Sequence, residues 1–127
     1  MFEQDYVMRM IKEMIRFLLK VFFHCDSESV SDSLLKETVD QQELNSLLDL
    51  ADKGRINEAE NKLFDIPDDG TRKSLGIALL FYSHLNEMTD EYLEQHGFSR
   101  DEIVSGLHDV AKKNGVDGLS DMFLDRG

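Results

Sequence analysis

The side chains with the widest range of chemistry in this sequence are four histidines and a single cysteine. The histidines are His24, His84, His96 and His108, and no two of them are three or four residues apart. Helical zinc sites pair their ligands at that spacing, as in His-Glu-x-x-His. Residues 65–70 carry carboxylates, but an EF-hand calcium loop would need oxygen ligands where Pro67 and Gly76 are found. We therefore expect structural or solvated histidines, and neither a bound metal nor a cofactor.

Nucleophilic and phosphate-binding chemistry also lacks a signature. Cys25 follows His24, but neighbours in sequence do not face each other on a helix, so they are not expected to form a thiolate–imidazolium pair. The sequence contains no Walker motif, no Gly-x-Gly-x-x-Gly and no Gly-x-Ser-x-Gly. The acidic pairs at 90–91 and 101–102 fall in the first turns of predicted helices, where they complement the helix dipole. The sequence thus predicts no catalytic residue, and we expect that the protein is not an enzyme.

Charge and cysteine content limit the classes of partner. The net charge of −12 opposes nucleic-acid binding, because phosphate contacts need clustered Lys and Arg, and it opposes attraction to anionic membranes. One cysteine cannot form an internal disulfide, which fits a reducing compartment. The sequence begins with acidic residues where a signal peptide needs basic ones, and it has no run of 18 apolar residues. We expect a cytoplasmic protein without nucleic-acid partners and without stable membrane insertion.

The elements that would position any site are helices, and the first is the most informative. Residues 1–24 form a predicted N-terminal element with one long helix from residue 2 to 24. Its polar side chains cover about one-third of a helical wheel; they are Asp5, Arg9, Lys12, Glu13, Arg16 and Lys20. The remaining apolar face is about twice as wide as packing against a single core requires. The first 24 residues hold four Lys or Arg against three Asp or Glu, a net of +1, whereas the rest of the chain has a net of −13.

The excess apolar width predicts a second contact for this helix. One side can pack on the helices that follow, and the other is predicted to remain exposed as a candidate interface. That side comprises Met8, Ile11, Ile15, Leu18 and Phe22. A second copy of the chain is the simplest cover, because twofold dimers are the commonest assembly and large exposed apolar patches mark interaction sites. The alternative stays open that later helices of the same chain cover both sides.

The rest of the chain is predicted to be a polar linker and a compact helical body. Residues 25–39 are polar and rich in serine, which is typical of a linker, and residues 40–127 form the body. Asp40 and Glu43 form a capping box at the start of a helical hairpin over residues 40–66, in which Ala59, Leu63 and Phe64 are expected to face inward. The apolar run within residues 71–86 predicts a central buried helix.

Capping signals place the remaining helices. Thr89 begins a short helix, and Ser99 with Glu102 forms a capping box before a longer one, which Asn114-Gly115 ends. A last short helix is predicted around Leu119, Met122 and Phe123. The expected fold is all-α, with six or seven helices: a long N-terminal helix followed by a compact, tetratricopeptide-like multi-helix body.

Two resemblances accompany this pattern. The stretch 54–59, Gly-Arg-Ile-Asn-Glu-Ala, resembles the turn of a tetratricopeptide repeat, in which a glycine ends the first helix and the alanine permits a close helix crossing. Residues 2–12, the Arg-Phe-Leu of residues 16–18 and the Gly-Phe-Ser of residues 97–99 resemble an uncharacterised family of Firmicutes proteins, a domain of unknown function. The second resemblance implies a helical fold and no particular activity.

The sequence favours a protein–protein interaction or scaffold module that associates with itself through the first helix. Two other classes stay open. One is a small helical ligand-binding protein or an enzyme without a recognisable motif, which would need a deep pocket lined by convergent polar groups. The other is a peripheral membrane protein that uses the first helix in the interface plane.

Overall fold

The structure, a computed structural model, describes residues 2–23, 41–67 and 73–116. These ranges contain six helices and no strand, so the all-α prediction is confirmed for them. The helices are α1 (Phe2–Phe23), α2 (Gln41–Asp52), α3 (Ile56–Phe64), α4 (Lys73–Asn86), α5 (Asp90–Gln95) and α6 (Arg100–Lys113). The predicted linker at 25–39, the Asp40 cap and the last predicted helix lie outside the described residues.

The two N-caps that the sequence predicts in the second half of the body are formed. The Thr89 hydroxyl accepts a hydrogen bond from the backbone N–H of Tyr92 at 3.1 Å, at the start of α5. The Ser99 hydroxyl accepts one from the N–H of Glu102 at 3.4 Å, at the start of α6. Each bond satisfies a donor that the first helical turn leaves without an internal partner.

Helix ends are set by glycines in the left-handed conformation. Gly54 has φ +86°, and the N–H of the following Arg55 donates to the Leu50 carbonyl at 2.9 Å. Gly115 has φ +93°, and the N–H of Val116 donates to the Ala111 carbonyl at 2.8 Å. Both are Schellman turns, which use a residue without a β-carbon to reverse the chain after a helix. The first turn joins α2 to α3 as adjacent helices.

The core is organised around α4, as the central apolar run predicts. This helix packs against α1, α2 and α6, and its residues from Leu75 to Tyr82 are all buried. A helix that is apolar on every side has to lie inside the domain, because no face of it suits water.

Helix α1 packs on both α4 and α6. Ile11, Ile15 and Leu18 are 0%, 7% and 0% exposed, whereas Met8 and Phe22 are half-buried. The expectation that one continuous side of α1 remains exposed is therefore wrong for its three central residues. Two later helices of the same chain contact α1, so its broad apolar face is largely used within the chain.

Hydrogen bonds from the buried Arg100 connect the ends of three helices. Arg100 is 7% exposed, its Nε donates to Asp90 at 2.6 Å, and one terminal nitrogen donates to the backbone and side-chain oxygens of Asn86, both at 3.0 Å. The Asn86 amide in turn donates to the backbone carbonyl of Met8 at 3.1 Å. The network joins the end of α4 to the starts of α5 and α6 and to α1, as a planar guanidinium with several donors can do.

Candidate functional site

An open groove of about 310 Å³ lies where α3, α4 and α6 meet. Its buried floor is apolar and is made by Leu63, Leu75, Ala78 and Val110. These residues come from three different helices, so the groove exists only once the three have packed together. An apolar concave surface of this kind is a natural binding site for apolar side chains.

The rim of the groove carries the polar groups. Asp109 and Lys113 are exposed and lie one turn apart on α6, while Ser74 and Asn114 are half-buried. The Asn114 amide donates back to the Val110 carbonyl at 2.8 Å, which caps the end of α6. A ligand that enters the groove would therefore meet one acidic and one basic side chain at the edge of an apolar floor.

Phe64 is an aromatic residue that lines the groove, and it is 44% exposed on the rim. The sequence predicts that Ala59, Leu63 and Phe64 all face inward, and the first two are buried at 0% and 5% exposure. The prediction for Phe64 is wrong, because one residue beyond Leu63 turns its side chain by about 100° around the helix. The result is an exposed aromatic side chain beside an apolar groove.

The residues singled out by the sequence as an interface are not brought together on a free surface. Among residues 5–23 of α1, whose side chains the structure describes, the exposed large apolar side chains are Tyr6, at 48%, and Val21, at 41%. The apolar face that in-plane membrane binding would need is packed on α4 and α6, so that alternative would require α1 to leave the core.

The basic stripe of α1 is a solvated face. Arg9, Lys12, Arg16 and Lys20 are all exposed. The Lys12 ammonium lies 4.0 Å from the Glu87 carboxylate, and Arg16 lies 3.4 Å from Glu13 within the same helix. Exposed pairs of this kind contribute little to stability.

Two histidines, His84 and His96, lie against the end of α2 and the turn that joins it to α3. His84 Nε2 is 2.8 Å from the Asp52 carboxylate. The ring of His96 is 4.5 Å from that of Tyr92, and it fills the space where a β-carbon at Gly54 would be. The contacts of His84 with Asp52 and of His96 with Gly54 are not readable from the sequence, since each pair is distant along the chain. His24 and Cys25 lie outside the described residues.

A tyrosine hydroxyl also contacts the end of α2. The Tyr92 hydroxyl lies 2.8 Å from the carbonyl oxygens of both Ala51 and Asp52. These carbonyls belong to the last turn of α2, which lacks internal donors. Tyr92 and His96 thus connect α5 to the end of α2 and the turn after it, and His84 connects α4 to the same end of α2, which is a structural role.

A buried tyrosine, Tyr82, and a half-buried glutamate, Glu60, join α3, α4 and α6. The Tyr82 hydroxyl donates to the Glu60 carboxylate at 2.7 Å, and the Tyr82 ring lies against Gly106 of α6. Burial raises the pKa of the Glu60 carboxyl, the hydrogen bond from Tyr82 lowers it, and the carboxylates of Glu102 and Asp109 raise it. Burial, followed by the hydrogen bond to Glu60, raises the pKa of Tyr82. A tyrosine held neutral in this way serves as a hydrogen-bond donor.

The part of the chain that the structure describes contains neither a candidate metal site nor a candidate membrane-spanning helix. Among residues 2–23, 41–67 and 73–116, no three His, Cys, Asp or Glu side chains lie together as a metal site would need. The helices of the same ranges fall short of the length and hydrophobicity that crossing a bilayer demands.

Comparison with known proteins identifies a family for this chain, and the function of that family is unknown. No curated protein and no solved structure matches the chain. The model of one family, described as a family of unknown function (DUF6483), matches residues 1–115. The match includes all residues of the groove, from Leu63 to Asn114. The chain therefore belongs to the family of unknown function DUF6483.

Proposed function

We propose that the protein is a protein–protein interaction module that binds an apolar segment of a partner protein in the groove between α3, α4 and α6. The observation that carries this proposal is the exposure of Phe64, at 44%, on the rim of an apolar groove of about 310 Å³. Exposed apolar surface next to a concave apolar floor is the usual mark of an interaction site.

We propose that the partner segment is a helix. The floor of the groove is formed by side chains of three helices, and peptide-binding grooves of this kind receive apolar residues spaced by three and four positions on a partner helix. Asp109 and Lys113 on the rim would orient the partner, since a basic residue suits the first and an acidic residue the second.

A small-molecule site is less well supported. Such sites enclose most of their ligand and direct several polar groups into a cavity of about 300–1,000 Å³. Here the volume of about 310 Å³ is at the small end of that range and the charged groups, Asp109 and Lys113, lie on the exposed rim. An open apolar groove favours a polypeptide over a small polar ligand.

The tetratricopeptide resemblance belongs to the same proposal. Its supports are the left-handed Gly54, with φ +86°, and Ala59, which is fully buried. We propose that α2 and α3 cross closely through Ala59, as the helices of such a repeat do. Helical repeats of this type present extended surfaces to partner proteins.

Self-association through α1 remains a second candidate function, but the residues that would carry it differ from those predicted from the sequence. Tyr6 and Val21 are exposed, at 48% and 41%, and a separation of 15 positions places them within about 60° of each other on the helix. We propose that a homodimer, where it forms, uses this flank of α1 rather than Ile11, Ile15 and Leu18. A cytoplasmic location and an origin in Firmicutes also remain expectations.

Capture from an extract of the source organism tests the groove proposal. The comparison uses the wild-type chain, Phe64→Ser on the groove rim and Tyr6→Ser on α1, since both variants remove a similarly exposed aromatic side chain. We expect a partner protein that is retained by the wild type and by Tyr6→Ser and lost with Phe64→Ser. Retention of the same partners by all three chains would contradict the proposal.

A further inference from the structure

The basic stripe of α1 is a concentration of positive charge in a chain whose net charge is −12. It comprises Arg9, Lys12, Arg16 and Lys20, all of them exposed. The spacing of three or four positions places these residues along one side of the helix over about 16 Å. Asp5 and Glu13 share that side, so four cations stand against two carboxylates, a net of +2. Within the described ranges of the chain, no carboxylate pairs with Arg9 or Lys20.

An acidic segment follows α4 and forms most of α5. It runs from residue 87 to residue 94 and contains four carboxylates and no Lys or Arg. One of them, Asp90, is bound by the buried Arg100. Glu91 and Glu94 are exposed, and in the part of the chain that the structure describes neither forms an ion pair. The segment therefore carries negative charge that contacts among the described residues leave unused.

The basic stripe and the acidic segment adjoin in one chain. The Lys12 ammonium lies 4.0 Å from the carboxylate of Glu87, the first residue of the segment. The preceding Asn86 donates from its side-chain amide to the Met8 carbonyl on α1 at 3.1 Å. These two contacts hold the start of the acidic segment beside the middle of α1, so a positively charged surface borders a negatively charged one.

Adjoining surfaces of opposite charge fit a second copy of the same chain. In a twofold dimer each residue that contacts a second residue across the interface is itself contacted by that residue's counterpart, so the interface has to be complementary to itself. We infer that the chain forms a twofold dimer in which the basic stripe of each copy lies against the acidic segment of the other. The inference rests on the second candidate function, self-association through α1, and it makes no use of the groove.

The exposed apolar residues of α1 lie where such a dimer needs them. Exposed ion pairs contribute little by themselves, so a stable contact also needs apolar surface. Tyr6 precedes Arg9 by three positions and Val21 follows Lys20, which places an exposed apolar side chain near each end of the stripe. Tyrosine is enriched among the residues that carry binding energy, whereas complementary charges select the partner and fix the register. An unrelated acidic protein would match the stripe but not the acidic segment.

Charge reversal in the full chain tests the inference. The stripe variant is Arg9→Glu with Lys20→Glu, and the segment variant is Glu91→Lys with Glu94→Lys. Each variant alone should raise the Kd of the dimer by about 100-fold or more, because like charges then face each other in both symmetric contacts. Lys53→Glu with Arg55→Glu is the control, since it makes the same change in net charge as the stripe variant at exposed positions outside the contact. The control should change Kd much less.

A mixture of the two variants separates charge pairing from loss of structure. In a mixed dimer both contacts again pair opposite charges, so an equimolar mixture should recover a Kd close to that of the wild type. Changing the ionic strength is less specific, because salt also screens the repulsion between two chains of net charge −12. Light scattering after size exclusion over a dilution series gives the mass, and circular dichroism gives the fold. The single reversals Lys20→Glu and Glu94→Lys, mixed in the same way, replace any double variant that is unfolded.

The inference and the functions proposed above can fail separately. A wild-type chain that is monomeric at every concentration would overturn both the inference and self-association. A dimer that ignores the charge reversals but is lost with Tyr6→Ser and Val21→Ser would overturn the charged contact alone. A mixture of folded variants that stays monomeric, or assemblies larger than two chains, would overturn the twofold arrangement. Partner capture through Phe64 is independent, because none of the reversed residues lines the groove.

Discussion

The ring of Tyr82 on α4 occupies the space where a β-carbon would be at Gly106 on α6. A Cβ atom built at residue 106 would overlap the Tyr82 hydroxyl and ring. Both residues are buried, and α4 and α6 pack together along this contact. Gly106 thus lets α4 and α6, two of the three helices that form the groove, approach each other with a tyrosine between them.

Gly106→Ala is therefore expected to destabilise the protein by about 1–3 kcal/mol, because the added methyl group overpacks a closed contact. The sign of the change in unfolding free energy distinguishes a tight contact from an open site, because Gly→Ala in an exposed helix interior stabilises a protein by about 1 kcal/mol. Urea unfolding measures the change. Ser105→Ala, an exposed neighbour on α6, is the control and should be nearly neutral. A stabilised Gly106→Ala variant would show that the Tyr82 contact is loose.

Glu60→Gln is expected to stabilise the protein at neutral pH. Burial raises the pKa of Glu60 above its ordinary value of 4.5, so the folded chain holds this proton more tightly than the unfolded chain. The stabilisation from the protonated form is complete below the unfolded pKa and is lost as the pH rises through the folded one. Glutamine keeps an acceptor for Tyr82 without the charge.

Thermal unfolding of wild type and Glu60→Gln across pH checks this expectation. The advantage of the variant should be largest at neutral pH and should shrink toward zero below pH 4.5. Glu94→Gln, at an exposed site on α5, makes the same charge change as a control. A variant that is less stable than the wild type at neutral pH would mean that the hydrogen bond to the ionised carboxylate outweighs burial.

Arg100→Met is expected to cost about 1–3 kcal/mol, because it removes a buried guanidinium from its hydrogen bonds, although its ion-pair partner Asp90 is 37% exposed. The change leaves the Asn86 oxygens and the Met88 carbonyl without their donor. Arg55→Met removes an exposed arginine that lies 4.0 Å from Glu58 and should cost less than about 1 kcal/mol. Chemical denaturation compares the two, and equal losses would argue against a network centred on Arg100.

Ile15→Glu is expected to unfold the chain, and not merely to separate a dimer, since Ile15 is 7% exposed in the core of one chain. Tyr6→Ser with Val21→Ser should leave the fold intact and dissociate any homodimer built on α1. Circular dichroism and light scattering over a dilution series follow the two properties. A folded, monomeric Ile15→Glu variant would contradict this expectation and would mean that Ile15 lies at a dimer interface, as the sequence predicts.

The sequence predicts the helices well because their signals are local. Thr89 and Ser99 act on N–H groups three residues away, and Gly54 and Gly115 act within one turn, so neighbouring residues are sufficient to place these ends. The apolar run from Leu75 to Tyr82, interrupted only by Gly76, suits a buried strand or a buried helix, and its flanks and its lack of β-branching beyond Ile77 favour the helix.

The groove could not be predicted in the same way. Its walls combine residues 63–66, 74–78 and 109–114, and no local pattern indicates that these stretches meet. For α1, periodicity gives the width of the apolar face but not the number of helices that cover it. That number decides whether Ile11 and Leu18 lie in a core or at an interface, and it depends on how α4 and α6 pack.

The most direct test of the groove as a binding site is site-specific photo-crosslinking in cells of the source organism. Benzoylphenylalanine replaces Phe64 in one chain and Tyr6 in another, two aromatic positions with similar exposure of 44% and 48%. We predict a discrete adduct with another protein from position 64, with none of the same identity from position 6. Mass spectrometry of the adduct should place the bond in an apolar segment of the partner. An adduct that forms at position 6 and not at position 64 would contradict the assignment of the groove as the binding site.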